Sequence, residues 1–151
     1  MAKNSITVEL TGLATLKRQL EAVGVAPRAV MQAAALKGAE VVHDAAEPMA
    51  PGPHIEFTEG ELTARQAAAL VGPDEEHWYY RFFEFGAGSH PEPGTPFLVF
   101  EGDAGTIAAR SVQHPGVAAS PFLRPAVDEH KDAIYKAIAD VFEKAIREAV
   151  R

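Results

Sequence analysis

Hydrophobic and polar residues alternate near the start of the chain. Ile6, Val8 and Leu10 are separated by Thr7 and Glu9, a period of two that predicts a short strand with one buried face. Thr11-Gly12 breaks the pattern, and Leu13, Leu16, Leu20 and Val23 then recur three and four residues apart, predicting an amphipathic helix that Gly24 can end. Pro27 suits the first turn of a second helix, where a missing N–H costs nothing. From there to about residue 47, Val30, Leu36 and Val41 stand among Ala29, Ala33, Ala34, Ala35 and Ala39. Alanine combines high helix propensity with small volume, so this long helix can approach a neighbour closely. Pro48, Pro51 and Pro53 end it and open a loop.

The middle of the chain is less regular. Ile55 and Phe57 alternate with His54, Glu56 and Thr58, as in a strand fragment or extended arm. Residues 67–71 fit a helix by their alanines, or a buried strand by the preceding alternation and the Gly72-Pro73 stop. Residues 78–85 hold six of the twelve aromatic residues, which reads either as a core-facing helix or strand or as an anchor for a neighbouring subunit. Gly86-Ala87-Gly88-Ser89 and Pro91-Glu92-Pro93-Gly94 predict a non-repetitive loop. Residues 97–100 and 106–112 bracket Glu101-Gly102-Asp103-Ala104-Gly105, predicting a β-hairpin that His114-Pro115-Gly116 ends. Pro121-Phe122-Leu123-Arg124-Pro125 then leads into a final helix over 126–150. Its apolar stripe is Val127, Ile134, Ile138, Val141, Ala145 and Ile146, with Tyr135 and Phe142 towards the borders.

Composition narrows the picture. A length of 151 residues and a 47% hydrophobic content suit one domain with one modest core. The net charge of −7 argues against gripping nucleic acid through many phosphates. That charge is uneven: residues 40–92 hold eleven acidic and two basic residues, whereas 1–39 hold five basic and two acidic. Such a band is either a solvated surface or a wall that repels DNA and faces basic partners. The absence of cysteine excludes disulfides, thiolate catalysis and Cys-ligated metal. Neither an apolar leader nor a membrane-length apolar run is evident, so a soluble, untargeted protein with no membrane association is expected.

Candidate chemistry is sparse. Six histidines show no H-E-x-x-H arrangement and no close pair with an acid at helical ligand spacing, and read as scattered surface, cap or interface groups, leaving room for a site assembled by folding. Ser89 and Ser120 lack a G-x-S-x-G setting, and Gly86-Ala87-Gly88 is too short for a phosphate-binding loop. No catalytic residue, cofactor or metal ligand is expected. His114 reads as part of an abrupt turn, or as a pH-sensitive partner contact if exposed. Phe122 and Leu123, clamped between Pro121 and Pro125, read as a core plug or a subunit contact.

Tyr79-Tyr80-Arg81-Phe82-Phe83-Glu84-Phe85-Gly86 resembles the Y-A-x-x-V-E-F-G segment of the HK97 gp10-like family of siphophage and prophage tail-completion, or neck, proteins. The resemblance continues through Ala109-Arg110-Ser111-Val112-Gln113-His114-Pro115-Gly116 and Pro121-Phe122-Leu123-Arg124-Pro125-Ala126, and covers most of the chain. Where the family often carries D-T-G-x-L-x-x-S-I after the long helix, only Gly60-Glu61-Leu62 matches. The resemblance implies one α+β domain, with a small, mainly antiparallel sheet packed against the long helix and the C-terminal helix. It further implies a non-enzymatic structural role in the virion neck or tail, assembled in the host bacterial cytoplasm. There the protein would self-associate as a ring, hexameric by the symmetry of the tail path, and contact other neck or tail proteins while DNA passes without tight binding. Tyr80, Phe83, Glu84 and Phe85 would then stabilise the local fold or a subunit boundary. Phe122, Leu123 and Arg124 would dock the last helix, with Arg124 paired to Glu84. Two rival readings are a tail terminator capping the tail tube and a hydrolase or metal-dependent enzyme whose site sequence does not reveal; a generic acidic interaction domain is the plainest alternative.

Overall fold

A computed structural model describes residues 5–11, 14–63 and 66–151; Gly12 and Leu13 of the opening pattern, and Ala64 and Arg65, lie outside them. The chain runs through β1 (Ile6–Leu10), α1 (Ala14–Ala22), α2 (Pro27–Ala46), β2 (Ile55–Leu62), β3 (Ala67–Pro73), α3 (Arg81–Phe85), β4 (His90–Gly102), β5 (Gly105–His114), α4 (Leu123–Glu129) and α5 (Lys131–Ala149). Short 3-10 turns follow α2 and precede α3. The class is α+β, with two small antiparallel sheets.

The larger sheet has the order β1-β3-β2 and lies against α2. As the alternation predicts, Ile6, Val8 and Leu10 pack on the core, while Thr7 and Glu9 are exposed. Residues 67–71 resolve as strand. Ala67, Ala69 and Val71 face the core beneath α2, whose own Ala34, Ala35 and Ala39 are fully buried. Small side chains on both surfaces let helix and sheet approach closely, so pairing on both sides of β3 overrides the helical preference of its alanines. Opposite Ala68, β2 carries two residues, Gly60 and Glu61, where the ladder expects one. Gln32 of α2 reaches this bulge, its amide nitrogen donating to the Ala68 carbonyl at 3.2 Å.

α1 ends as Gly24 predicts. With φ at +78°, this residue lets the Val25 N–H donate to the Leu20 carbonyl at 2.9 Å and its own N–H donate to that of Glu21. At the other end of the chain, the single final helix expected over 126–150 is in fact two. At φ −115° and ψ 18°, His130 leaves the helical region, and its ring Nδ1 lies 3.1 Å from the Ala126 carbonyl. Pro125 sits in the first turn of α4, where no N–H is required. The last helix, α5, packs along α2 through Ile134, Ile138 and Phe142, whereas Tyr135 is largely exposed.

The second sheet is the β4–β5 hairpin alone. β4 begins at His90, so Pro91 to Gly94, expected in a loop, belong to a strand instead. The prolines stand two apart in a two-stranded ribbon whose outer edge has no partner strand among the described residues, so both can turn the side lacking an N–H outward.

Gly38 lies on the face of α2 that meets α5. A Cβ there would lie 3.0 Å from Ile138 Cδ1 and 3.2 Å from Val8 Cγ1. Gly38→Leu should therefore push α5 off α2 and cost about 1–3 kcal/mol, read as a lower urea midpoint. Gly38→Ala should cost much less, because higher helix propensity offsets the crowding.

Candidate functional site

The three stretches that carry the family resemblance meet in one place. α3 ends at Gly86, whose φ of +73° turns the chain so that Ala87 and Val117 exchange hydrogen bonds of 2.8 and 2.9 Å. Gly116, at φ +87°, passes so near that a Cβ would fall 2.2 Å from the Ala87 carbonyl oxygen. Ser120 N–H donates to the Phe83 carbonyl at 2.6 Å, completing a seam between the end of α3 and the segment entering α4.

Glu84 occupies the centre of this seam and is 2% exposed. Its carboxylate accepts from the backbone N–H groups of Phe122 (2.7 Å), Leu123 (2.9 Å) and Arg124 (3.2 Å), and from Arg124 Nε (3.1 Å). The Arg124 guanidinium also donates to the Glu84 carbonyl at 3.0 Å. No side chain of α4 caps that helix from within. Glu84 caps it from a distant part of the chain, where backbone donors and the helix dipole both favour an anion. Burial pushes the Glu84 carboxyl up, but the N–H groups of Phe122 and Leu123, with Arg124, outweigh it and hold its pKa below the usual glutamate value.

The expected site residues therefore separate. Tyr80, Glu84, Phe122 and Leu123 are buried inside this chain, so Phe122 and Leu123 form a core plug, and the subunit-contact reading of that pair does not hold. Tyr80 meets Phe122 edge-on at 6.3 Å and Phe83 at 6.2 Å. Phe83 is half-buried against the core. Phe85 projects outward, 61% exposed, beneath the Arg124 guanidinium at 5.4 Å. Trp78 and Tyr79 also face outward, so the aromatic segment supplies both core and surface. His114 is set apart at the base of the hairpin, where it stacks on His90 at 5.1 Å and its Nδ1 accepts from the Gly116 N–H at 3.0 Å.

Comparisons with protein-family models, curated proteins and solved structures find no match for this chain.

Two features were not anticipated from the sequence. The first is how far the hairpin stands from the body: among the described residues, β4 and β5 pack extensively only on each other. In the register Phe100↔Ile107 and Leu98↔Ala109, one face is apolar; Val99 and Ala108 put further apolar groups on the other. Phe97, Val99, Phe100 and Ile107 are all exposed. The second is that two of the six histidines meet an aspartate. His54, Asp74 and His77 bring their side-chain donor atoms within 4.8 Å of one another, a distance at which they can share a metal ion. Asp74 and His77 are three apart in a turn outside any helix. The signal was positional: His54 directly precedes one strand of a pair and Asp74 directly follows the other.

Glu84→Ala should leave the N–H groups at the start of α4 without their acceptor and Arg124 with only the backbone carbonyl of residue 84, destabilising the fold by about 1–3 kcal/mol. Arg124→Ala, whose side chain is largely exposed, should cost less than about 1 kcal/mol. Because folding lowers the Glu84 pKa, its contribution is fully present above the ordinary glutamate value of about 4.3 and is lost as pH falls through the folded value. Urea unfolding between pH 7 and pH 3 should therefore show a steeper acid loss for the wild type than for Glu84→Gln.

Proposed function

We propose that this chain is a non-enzymatic structural component of a phage neck or head-proximal tail end, assembling as a ring around the DNA path and helping to join tail to head. The observation that carries this reading is the β4–β5 hairpin. An isolated two-stranded ribbon is marginal in water, and one that faces solvent is ordinarily polar on its outer surface. This ribbon extends for ten residues in β5, roughly 30 Å, and carries Phe100 and Ile107 on one face and Val99 on the other. Apolar groups on both faces of an arm are stabilised when neighbouring copies cover them, as happens when a ring closes.

The base of the arm suits such a task. The Ala87–Val117 bridge and the hydrogen bond from Gln113 Nε2 to Ser89 Oγ at 2.6 Å fix its exit from the body. Glu84 ties the same region to α4, so an arm seated on a neighbour would be braced by the core of its own subunit. The net charge of −7 supports a path that DNA passes through without being retained.

Native mass spectrometry across a concentration series, alone and with the matching tail-tube protein, tests the proposal. A hexamer-sized species, alone or induced by that partner, is the expected result. The double variant Phe100→Ser/Ile107→Thr should weaken assembly by tenfold or more, since burying each side chain contributes roughly 1.5–3 kcal/mol, while the melting temperature of the body stays unchanged. A chain that remains monomeric in both conditions would overturn the reading. Assembly equally strong in the double variant would remove the hairpin from it.

A further inference from the structure

We propose that His54, Asp74 and His77 form a binding site for one divalent transition-metal ion, with zinc the best chemical fit, that clamps the open end of the β2–β3 pair to the aromatic turn before α3.

The backbone brings the three residues together before any ion arrives. Ile55 pairs with Pro73 across the two strands, so His54 and Asp74 fall opposite each other one step beyond the ladder. The Asp74 N–H donates to the His54 carbonyl at 3.0 Å, continuing that pairing. Asp74 then turns the chain: its Oδ1 accepts from the backbone N–H of His77 at 2.8 Å. The carboxylate is thus oriented by the main chain, and both imidazoles aim Nδ1 at it.

The three donor atoms lie within 4.8 Å of one another. His77 Nδ1 lies 2.6 Å from Asp74 Oδ1, and His54 Nδ1 lies 3.5 Å from Oδ2. Ligand atoms around a tetrahedral zinc ion stand about 3.3 Å apart, given bonds of about 2.0–2.1 Å, so an ion taken up here replaces the proton shared by His77 and Asp74 and turns the two rings out of their parallel stack. The imidazole rings stack at 3.5 Å and 9°. Two imidazoles with one carboxylate select zinc, copper or nickel over magnesium or calcium.

The surroundings agree. Tyr80, edge-on to His77 at 5.5 Å and to His54 at 6.4 Å, forms an apolar wall behind the rings. Glu75 and Glu76, both exposed, add negative charge beside the site. His54 is the most open of the three ligands, leaving the ion's fourth position to water.

This inference does not depend on ring assembly. Its test is titration of tag-free, metal-stripped protein with zinc chloride, followed by native mass spectrometry and thermal unfolding. One zinc per chain and a raised melting temperature are expected. His77→Gln and His54→Gln, each first shown to be folded by circular dichroism, should each lower zinc affinity by at least about tenfold. His90→Gln, altering the separate His90–His114 stack, should leave it unchanged. Failure of the wild type to take up zinc would overturn the proposal, as would full uptake by both His77→Gln and His54→Gln or an equal loss in His90→Gln.

Discussion

A buried carboxylate with four donors around it decides how the two halves of this fold meet. Glu84 lies on a five-residue helix that has little stability of its own, and Phe122, Leu123 and Arg124 open a seven-residue helix that lacks an internal cap. Neither piece is long enough to persist alone in water. Their hydrogen bonds join residues some forty positions apart, and the β4–β5 hairpin is the excursion between them. The same contact that starts α4 therefore also closes the neck of the hairpin. Leaving that charge without partners would cost far more than the pair contributes, which makes the arrangement close to all-or-none.

The core grows outward from this contact in a consistent way. Phe122, fully buried, meets Tyr80, and Tyr80 passes the packing on to His54 and His77 at the end of the β2–β3 pair. On the other side, the alanines of α2 and β3 bring helix and sheet together, and Gly38 lets α5 settle on α2. The body is therefore held by close approach of small residues, with a few large side chains as plugs. The hairpin keeps its aromatic and aliphatic residues outside that body, and the proposed ring would supply the layer they lack.

Much of this was legible in the sequence because its cause is local. Ile6, Val8 and Leu10 mark β1 by period alone, Pro27 and the alanines mark α2, and Gly24 marks its own turn. The α+β class expected from the family resemblance is the class observed. What was not legible depends on partners distant in the chain. Ala67 to Val71 form a strand because β1 and β2 flank them. The start of β4 at His90 places two prolines within one strand of a ribbon, which no local propensity describes. The break at His130 involves neither glycine nor proline. His54 and Asp74 meet only once the β2–β3 register is set, so the sequence offered only their places at the ends of two expected strands and the three-residue step to His77. The Glu84–Arg124 pair, inferred from opposite charge within the motifs, is present, but the larger part of the contact is backbone N–H donation, which side-chain identities do not reveal.

The central claim is that Glu84 makes a rigid seat from which an otherwise uncovered arm reaches a neighbouring copy. Hydrogen exchange followed by mass spectrometry at low and high protein concentration tests it most directly. The account predicts that the amides of Phe122, Leu123 and Arg124 exchange slowly at every concentration, whereas those of β4 and β5 slow markedly only where a larger assembly forms. Fast exchange at the start of α4, or hairpin exchange unchanged by assembly, would contradict it.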